Sequence, residues 1–151
     1  MQTQSFRSTP DVSFTGEETL LVSGNTITVK IGGEKTSNAY SVFEITVPPN
    51  VGAGLHIDKD WDEFWHVMEG TFDFSLNGQQ IQLGAGGFAH GPKGIPHSFK
   101  NVGAATGKLV MFTTPSGLEK FFKSIDEASM DGGPDKETFV KIMRAHHIEP
   151  A

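Results

Sequence analysis

Apolar and polar residues alternate with period two over most of the chain and switch to a helical period only near Pro115. Residues 26–31 alternate, and residues 40–47 do the same before stopping at Pro48-Pro49. Residues 63–68 and 71–76 read as strands on either side of Glu69-Gly70. Asn77-Gly78 predicts a type I′ turn, because both positions tolerate positive φ, and the chain returns through residues 79–83. After the glycine-rich turn at 84–87, strands are expected at 88–91, 97–102 and 108–114. Many short strands joined by Gly, Pro and Asn turns predict an all-β sandwich or barrel.

Beyond Pro115 the pattern changes. Leu118, Phe121, Phe122 and Ile125 recur at i, i+3, i+4 and i+7, which is one face of a helix. Ser116 is its expected N-cap, with Glu119 three residues on as capping-box partner. Asp131-Gly132-Gly133-Pro134 breaks this helix, and a second is expected over 136–146 with Phe139, Ile142 and Met143 on one face. The chain therefore divides into an N-terminal arm (1–17), a β-barrel (18–115) and a C-terminal helical extension (116–151). The helices are expected to cover an open end or edge of the barrel, or to make a dimer contact.

Composition narrows the function classes. A length of 151 residues suits one domain with a core, and 12 phenylalanines supply the apolar bulk for it. A net charge of −6 argues against nucleic acid or an anionic membrane as partner. The absence of cysteine removes disulfides, thiolate metal sites and a cysteine nucleophile together. No signal-peptide pattern and no apolar run of membrane-spanning length is visible, so a cytoplasmic protein is the expectation.

Two segments carry chemistry. His56, Asp58 and Glu63 fall within eight residues, and 56 and 58 share a strand face. Downstream, a Pro/Gly turn at Pro92 and Gly94 leads directly into His97. Two imidazoles and two carboxylates converging inside a barrel would make a nitrogen/oxygen site for a divalent first-row metal (Fe, Mn, Ni, Co, Zn or Cu). Two histidines fit poorly in a calcium-type oxygen cage. Trp65 shares the parity of Glu63, and Phe99 that of His97, so both are expected to line the pocket and contact substrate. His66, at odd spacing from Glu63, should face away. His90 suits pocket lining and outer packing equally. His146 and His147 read as cations at a helix C-terminus.

At these residues the chain resembles the cupin superfamily, and more narrowly its small single-domain, quercetinase-like bacterial members. The first cupin motif, His-x-His-x(3–4)-Glu-x(6)-Gly, is met by His56, Glu63 and Gly70, with Asp58 in place of the second histidine. Asn50 stands where the leading glycine is usual. The second motif is met in full by Gly86, Pro92, Gly94, His97 and Asn101, and 15 residues separate the two. The resemblance implies a cupin-type β-barrel (a double-stranded β-helix or jelly roll), a metal held by His56, Glu63 and His97 with Asp58 at the fourth position, and a homodimer.

Asp58 leaves three readings open. It replaces the histidine as a ligand, or swings off the metal to accept a proton, or forms with Glu63 an acid/base pair in a site without metal. The leading functional expectation is a metal-dependent dioxygenase-like oxidoreductase acting on a small aromatic or enolisable substrate, with Glu63 or Asp58 taking the substrate proton. The alternatives are a non-oxidative isomerase, cyclase or lyase using Asp58 and Glu63, and a non-catalytic ligand-binding module. A further reading treats His56, Asp58 and His97 as the two-histidine, one-carboxylate set of an iron/2-oxoacid oxygenase.

Overall fold

The structure is a computed structural model that describes residue 10 and residues 12–151. Of the expected arm at 1–17, residues 1–9 and 11 lie outside the described residues. At its inner end, the Glu17 backbone N–H donates to the Val29 carbonyl at 2.7 Å, so the arm meets the sheet there.

Among the described residues, eleven strands and two α-helices follow in order: β1 Glu18–Val22, β2 Asn25–Ile31, β3 Ser41–Val47, β4 Gly52–Asp58, β5 Asp62–Glu69, β6 Phe72–Leu76, β7 Gln79–Leu83, β8 Phe88–Gly91, β9 Pro96–Asn101, β10 Gly107–Thr114, α1 Leu118–Ala128, α2 Lys136–Ala145 and β11 Ile148–Pro150. They form two antiparallel sheets, ordered β1-β2-β3-β10-β5-β8 and β11-β4-β9-β6-β7. Sequence neighbours such as β3 and β4 lie in different sheets, giving a jelly-roll arrangement. No helix among the described residues is long and apolar enough to cross a membrane.

The core is the inward half of each alternating strand. Phe43, Ile45 and Val47 of β3, Leu109 and Met111 of β10, and Trp65 and Val67 of β5 face Phe72 and Phe74 of β6 and Phe99 of β9, all buried. The last three rings pack on one another with centroids 6.1–6.4 Å apart, within the range of favourable aromatic contact. Strand parity then has a consequence: the inward row of β5 begins with Glu63, and that of β9 with His97.

The motif residues shape the strand ends. Gly86 and Gly94 adopt φ of 87° and 84°, which a side chain would strain. Asn50, in the usual glycine position, has φ of 64°, and asparagine is among the few other residues that tolerate this conformation. Asn101 is fully buried and saturated: its amide donates to the carbonyls of Val47 and Ala105, and its oxygen accepts from the Gly103 N–H, each at 2.9 Å. It locks the end of β9.

Local detail departs from expectation at the start of α1 and after α2. Ser116 does not cap α1. Gly117 takes that position with φ of 123°, and Glu119 accepts from the Gly117 N–H (3.0 Å), the Ser41 hydroxyl (2.8 Å) and the Gly33 N–H (2.9 Å). The glutamate thus ties the helix start to the barrel instead of completing a capping box with serine. At α2, Asp135 is the N-cap and accepts from the Thr138 N–H at 2.7 Å. Finally, β11 was not expected. It pairs Ile148, Glu149 and Pro150 with Asp58, Ile57 and His56, so the strand bearing two site residues is covered at its edge.

Candidate metal centre

Three strands deliver the chemistry. The pairing of β4 with β9 sets His56 opposite His97, with ring centroids 4.3 Å apart. This approach depends on Gly52 at the start of β4, where any Cβ would collide with the Phe99 carbonyl oxygen. Asp58 follows on β4 and Glu63 opens the inward row of β5. The Asp58 Oδ2 lies 3.1 Å from His97 Nε2 and 3.6 Å from His56 Nε2, and Glu63 Oε2 lies 3.3 Å from His97 Nε2.

The imidazoles are oriented from behind. His56 Nδ1 is 2.6 Å from the Gly54 carbonyl, and His97 Nδ1 is 3.2 Å from the Ile95 carbonyl. Because a carbonyl only accepts, each Nδ1 carries the proton and each Nε2 faces the cluster. A carbonyl at Nδ1 in this way fixes the tautomer of a metal-ligating histidine. Gly91 serves the same geometry, since a Cβ there would press on the Trp65 ring at 2.9 Å, and that ring packs 5.2 Å from His97.

The donor set fits a divalent cation. Asp58 and Glu63 are 1% and 3% exposed, and burying two carboxylates is costly unless charge offsets them. Both Asp58 oxygens and His97 Nε2 nevertheless have no hydrogen-bond partner among the described residues. They are close together but not aligned on one another. His56, Asp58 and His97 each offer a ligand atom within 4.8 Å of the others'. A cation among them would satisfy the buried atoms that the protein leaves unpaired. Glu63 lies beside this three-residue group, in contact with His97, and not within it.

Without a cation the same geometry holds protons. Burial alone would lower the His97 pKa, but the Asp58 and Glu63 carboxylates overcome it and push it up to about 10. Burial, reinforced by the Asp58 charge, raises Glu63 to about 7. Asp58 shifts the other way: burial would raise it, and the two imidazoles prevail and lower it. At pH 7 His97 is therefore protonated and Glu63 about half so. A metal must displace the His97 proton, so affinity should rise about tenfold per pH unit between pH 6 and 8 for each proton displaced. Isothermal titration in buffers of different ionisation enthalpy measures both quantities, and a flat affinity with no proton release would exclude His97 as a ligand.

His56, Asp58 and Glu63 of the cluster line a cavity of about 290 Å³, which both sheets and both helices also line. Trp65 and Phe99 line it, as their parity predicted. Phe121, Phe122, Phe139, Val140 and Met143 from the helices also line it. Of the two roles foreseen for the helices, covering the barrel is the one observed; the signal was the apolar face already visible in their periodicity. His66 and His90 point outward, and His90 stacks on Phe64 with centroids 4.4 Å apart. His146 departs from the expected helix-end cation, because burial and the neighbouring His147 lower its pKa. His147 leaves the helix with φ of 59° and meets Asp60 at 2.7 Å.

Residues 43–113, which contain in full the three strands that bear the four clustered side chains, match the family model described as "Cupin domain". The barrel is a cupin domain. Among curated proteins, the cupin is 26% identical over 98 residues to quercetin 2,3-dioxygenase of Bacillus subtilis (strain 168), covering 65% of this chain and 29% of that protein. It is 28% identical over 109 residues to the HTH-type transcriptional regulator PuuR of Escherichia coli (strain K12), covering 71% and 58% respectively. The matches thus span under two thirds of either relative's length. Among solved structures, the polyketide cyclase RemF from Streptomyces resistomycificus superposes with a TM-score of 0.61 at 21% identity, covering 72% of this chain and 80% of that one. The last likeness shows a shared fold.

Proposed function

We propose that this cupin is a metal-dependent enzyme that oxidises a small, largely apolar, enolisable molecule with dioxygen. The observation that carries this reading is the convergence of His56, Asp58 and His97, with Glu63 beside them, at an apolar cavity that His56, Asp58 and Glu63 line. The partial likeness to quercetin 2,3-dioxygenase supports it. We assign the three grouped residues as ligands, so that Asp58 fills the position of the usual histidine, and Glu63 as the proton acceptor.

A divalent cation held there supplies Lewis-acid stabilisation of a substrate oxyanion. The remaining work falls to the protein. Glu63, buried beside the three ligands and lining the cavity, is placed to take a proton from a substrate hydroxyl or C–H. The backbone carbonyls of Gly54 and Ile95 hold the imidazoles in one orientation. Trp65 and Phe99 flank a planar substrate and keep water from it.

The test is oxygen uptake by protein loaded separately with Fe, Mn, Ni, Co, Cu or Zn, offered a flavonol or an enolisable diketone. At least one metal should support oxygen consumption that matches substrate loss. Glu63→Gln should retain the metal and lose at least about 100-fold in kcat, as removal of a general base does; loss of metal in that variant would make Glu63 a ligand. The raised Glu63 pKa also favours a second reading, a proton-transfer isomerase, cyclase or lyase. Substrate turnover with no oxygen consumed would select it.

A further inference from the structure

The cavity carries a second polar end that the metal cluster does not use. Asn25 of β2 is 4% exposed and lines the cavity. Its amide nitrogen donates to the carbonyls of Val22 (3.1 Å) and Gly52 (3.0 Å). Those two bonds fix which side-chain atom is nitrogen, because an oxygen in that place would meet two acceptors. The Asn25 oxygen is then left buried with no partner among the described residues. Such an orphan acceptor is costly, and at a binding cavity it marks a place for a ligand donor. Gly52, which Asn25 contacts, pairs with Lys100, and His56 pairs with His97 three residues along β9, so at the strand rise Gly52 lies roughly 10 Å from His56.

Lys136 stands at the same end. It lines both the inner cavity and a second, more open cavity of about 520 Å³, together with Ser23 and Phe139. The loop Gly132-Gly133-Pro134 borders the outer cavity. Apart from the histidine, the inner cavity's charged lining residues are Asp58 and Glu63 at one end and Lys136 at the other. Lys136 has no ion pair among the described residues. Its position in the first turn of α2 is the unfavourable one for a cation, so helix stability does not account for it.

From this we infer that the ligand is an amphipathic anion: an apolar ring system with an oxyanion end at the metal cluster and, at the opposite end, an anionic substituent read by Lys136 beside an N–H or O–H donor read by Asn25. The threshold between the two cavities is the entrance. This rests on the reading of the cavity as the substrate site, and it deepens that reading by naming the substrate class.

The probes are 8-anilinonaphthalene-1-sulfonate and its neutral counterpart N-phenyl-1-naphthylamine, which share rings and N–H and differ in the sulfonate. Binding is followed by fluorescence on the full chain with and without added Mn²⁺. Lys136→Gln should weaken the sulfonate probe about fivefold and leave the neutral one unchanged. Asn25→Ser should weaken both, and Met143→Trp, which fills the inner cavity, should abolish both. Equal effects of Lys136→Gln on the two probes, or binding that survives Met143→Trp, would overturn the inference. If Asn25→Ser does not fold by circular dichroism, the Lys136 comparison decides alone. Neither probe needs turnover or bound metal, so a failure of the dioxygenase reading leaves this result standing, and the reverse.

Discussion

His97→Ala should strip the protein of its metal, lowering affinity by at least about 100-fold, beyond the 10- to 100-fold typical of lesions one shell further out. Its Nε2 is the atom nearest to both carboxylates, at 3.1 Å from Asp58 and 3.3 Å from Glu63. The loss is not confined to metal. In the metal-free protein the protonated imidazole is what offsets two buried carboxylates, and removing one partner of such a cluster costs about 3–5 kcal/mol. For a chain of this size each kcal/mol moves the melting temperature by about 2–4 °C. His97→Ala should therefore melt roughly 6–20 °C below the metal-free parent. Metal stoichiometry by mass spectrometry and a thermal melt report the two effects separately. A variant that keeps one metal per chain would remove His97 from the ligand set.

Trp65→Ala should cost about as much stability by a different route. Trp65 is 1% exposed and packs 5.7 Å from Phe74 and 5.2 Å from His97. Gly91 has no side chain to fill the space that the ring would vacate, so the void would stay open. Losses of this kind run to about 3–5 kcal/mol, against a total stability of about 5–15 kcal/mol for a domain. Trp65→Phe is the informative companion. It removes volume, yet it also removes an indole N–H that is buried without a partner among the described residues. Its loss in chemical denaturation should be well under half that of Trp65→Ala. Comparable losses in the two variants would mean that the indole N–H finds a partner, such as a bound ligand or water.

The location of the site was readable because it rests on local rules. Strand parity alone turns Glu63 inward with Trp65 and Val67, and turns His97 inward with Phe99 and Asn101. Turn chemistry places His97 directly after Gly94, whose positive φ the fold requires. Asn50 shows the same logic in a substitution, since it supplies the left-handed conformation usually given to glycine. Other features depend on distant segments and left no local sign. Three residues at 148–150 are too few to show a period, yet they cover the edge of β4. Ser116 satisfies the local capping rule, but Glu119 is drawn instead to the Ser41 hydroxyl and the Gly33 N–H, 78 and 86 residues away.

By itself, then, the sequence determined an all-β sandwich or barrel, the two motif segments and the inward face of each site-bearing strand, because alternation and turn preferences act over a few residues, while the jelly-roll type was implied by the cupin resemblance. Only the tertiary structure decided how those faces meet. The β4–β9 pairing brings His56 to His97 and sets Asp58 nearer to His97 than to its strand-mate His56, and the meeting of the sheets brings Glu63 to the same imidazole. It also showed that residues of α1 and α2 line the cavity and that Asn25 and Lys136 line it too. These are contacts between segments up to about a hundred residues apart, and distances of that kind are set by packing, which no local pattern encodes.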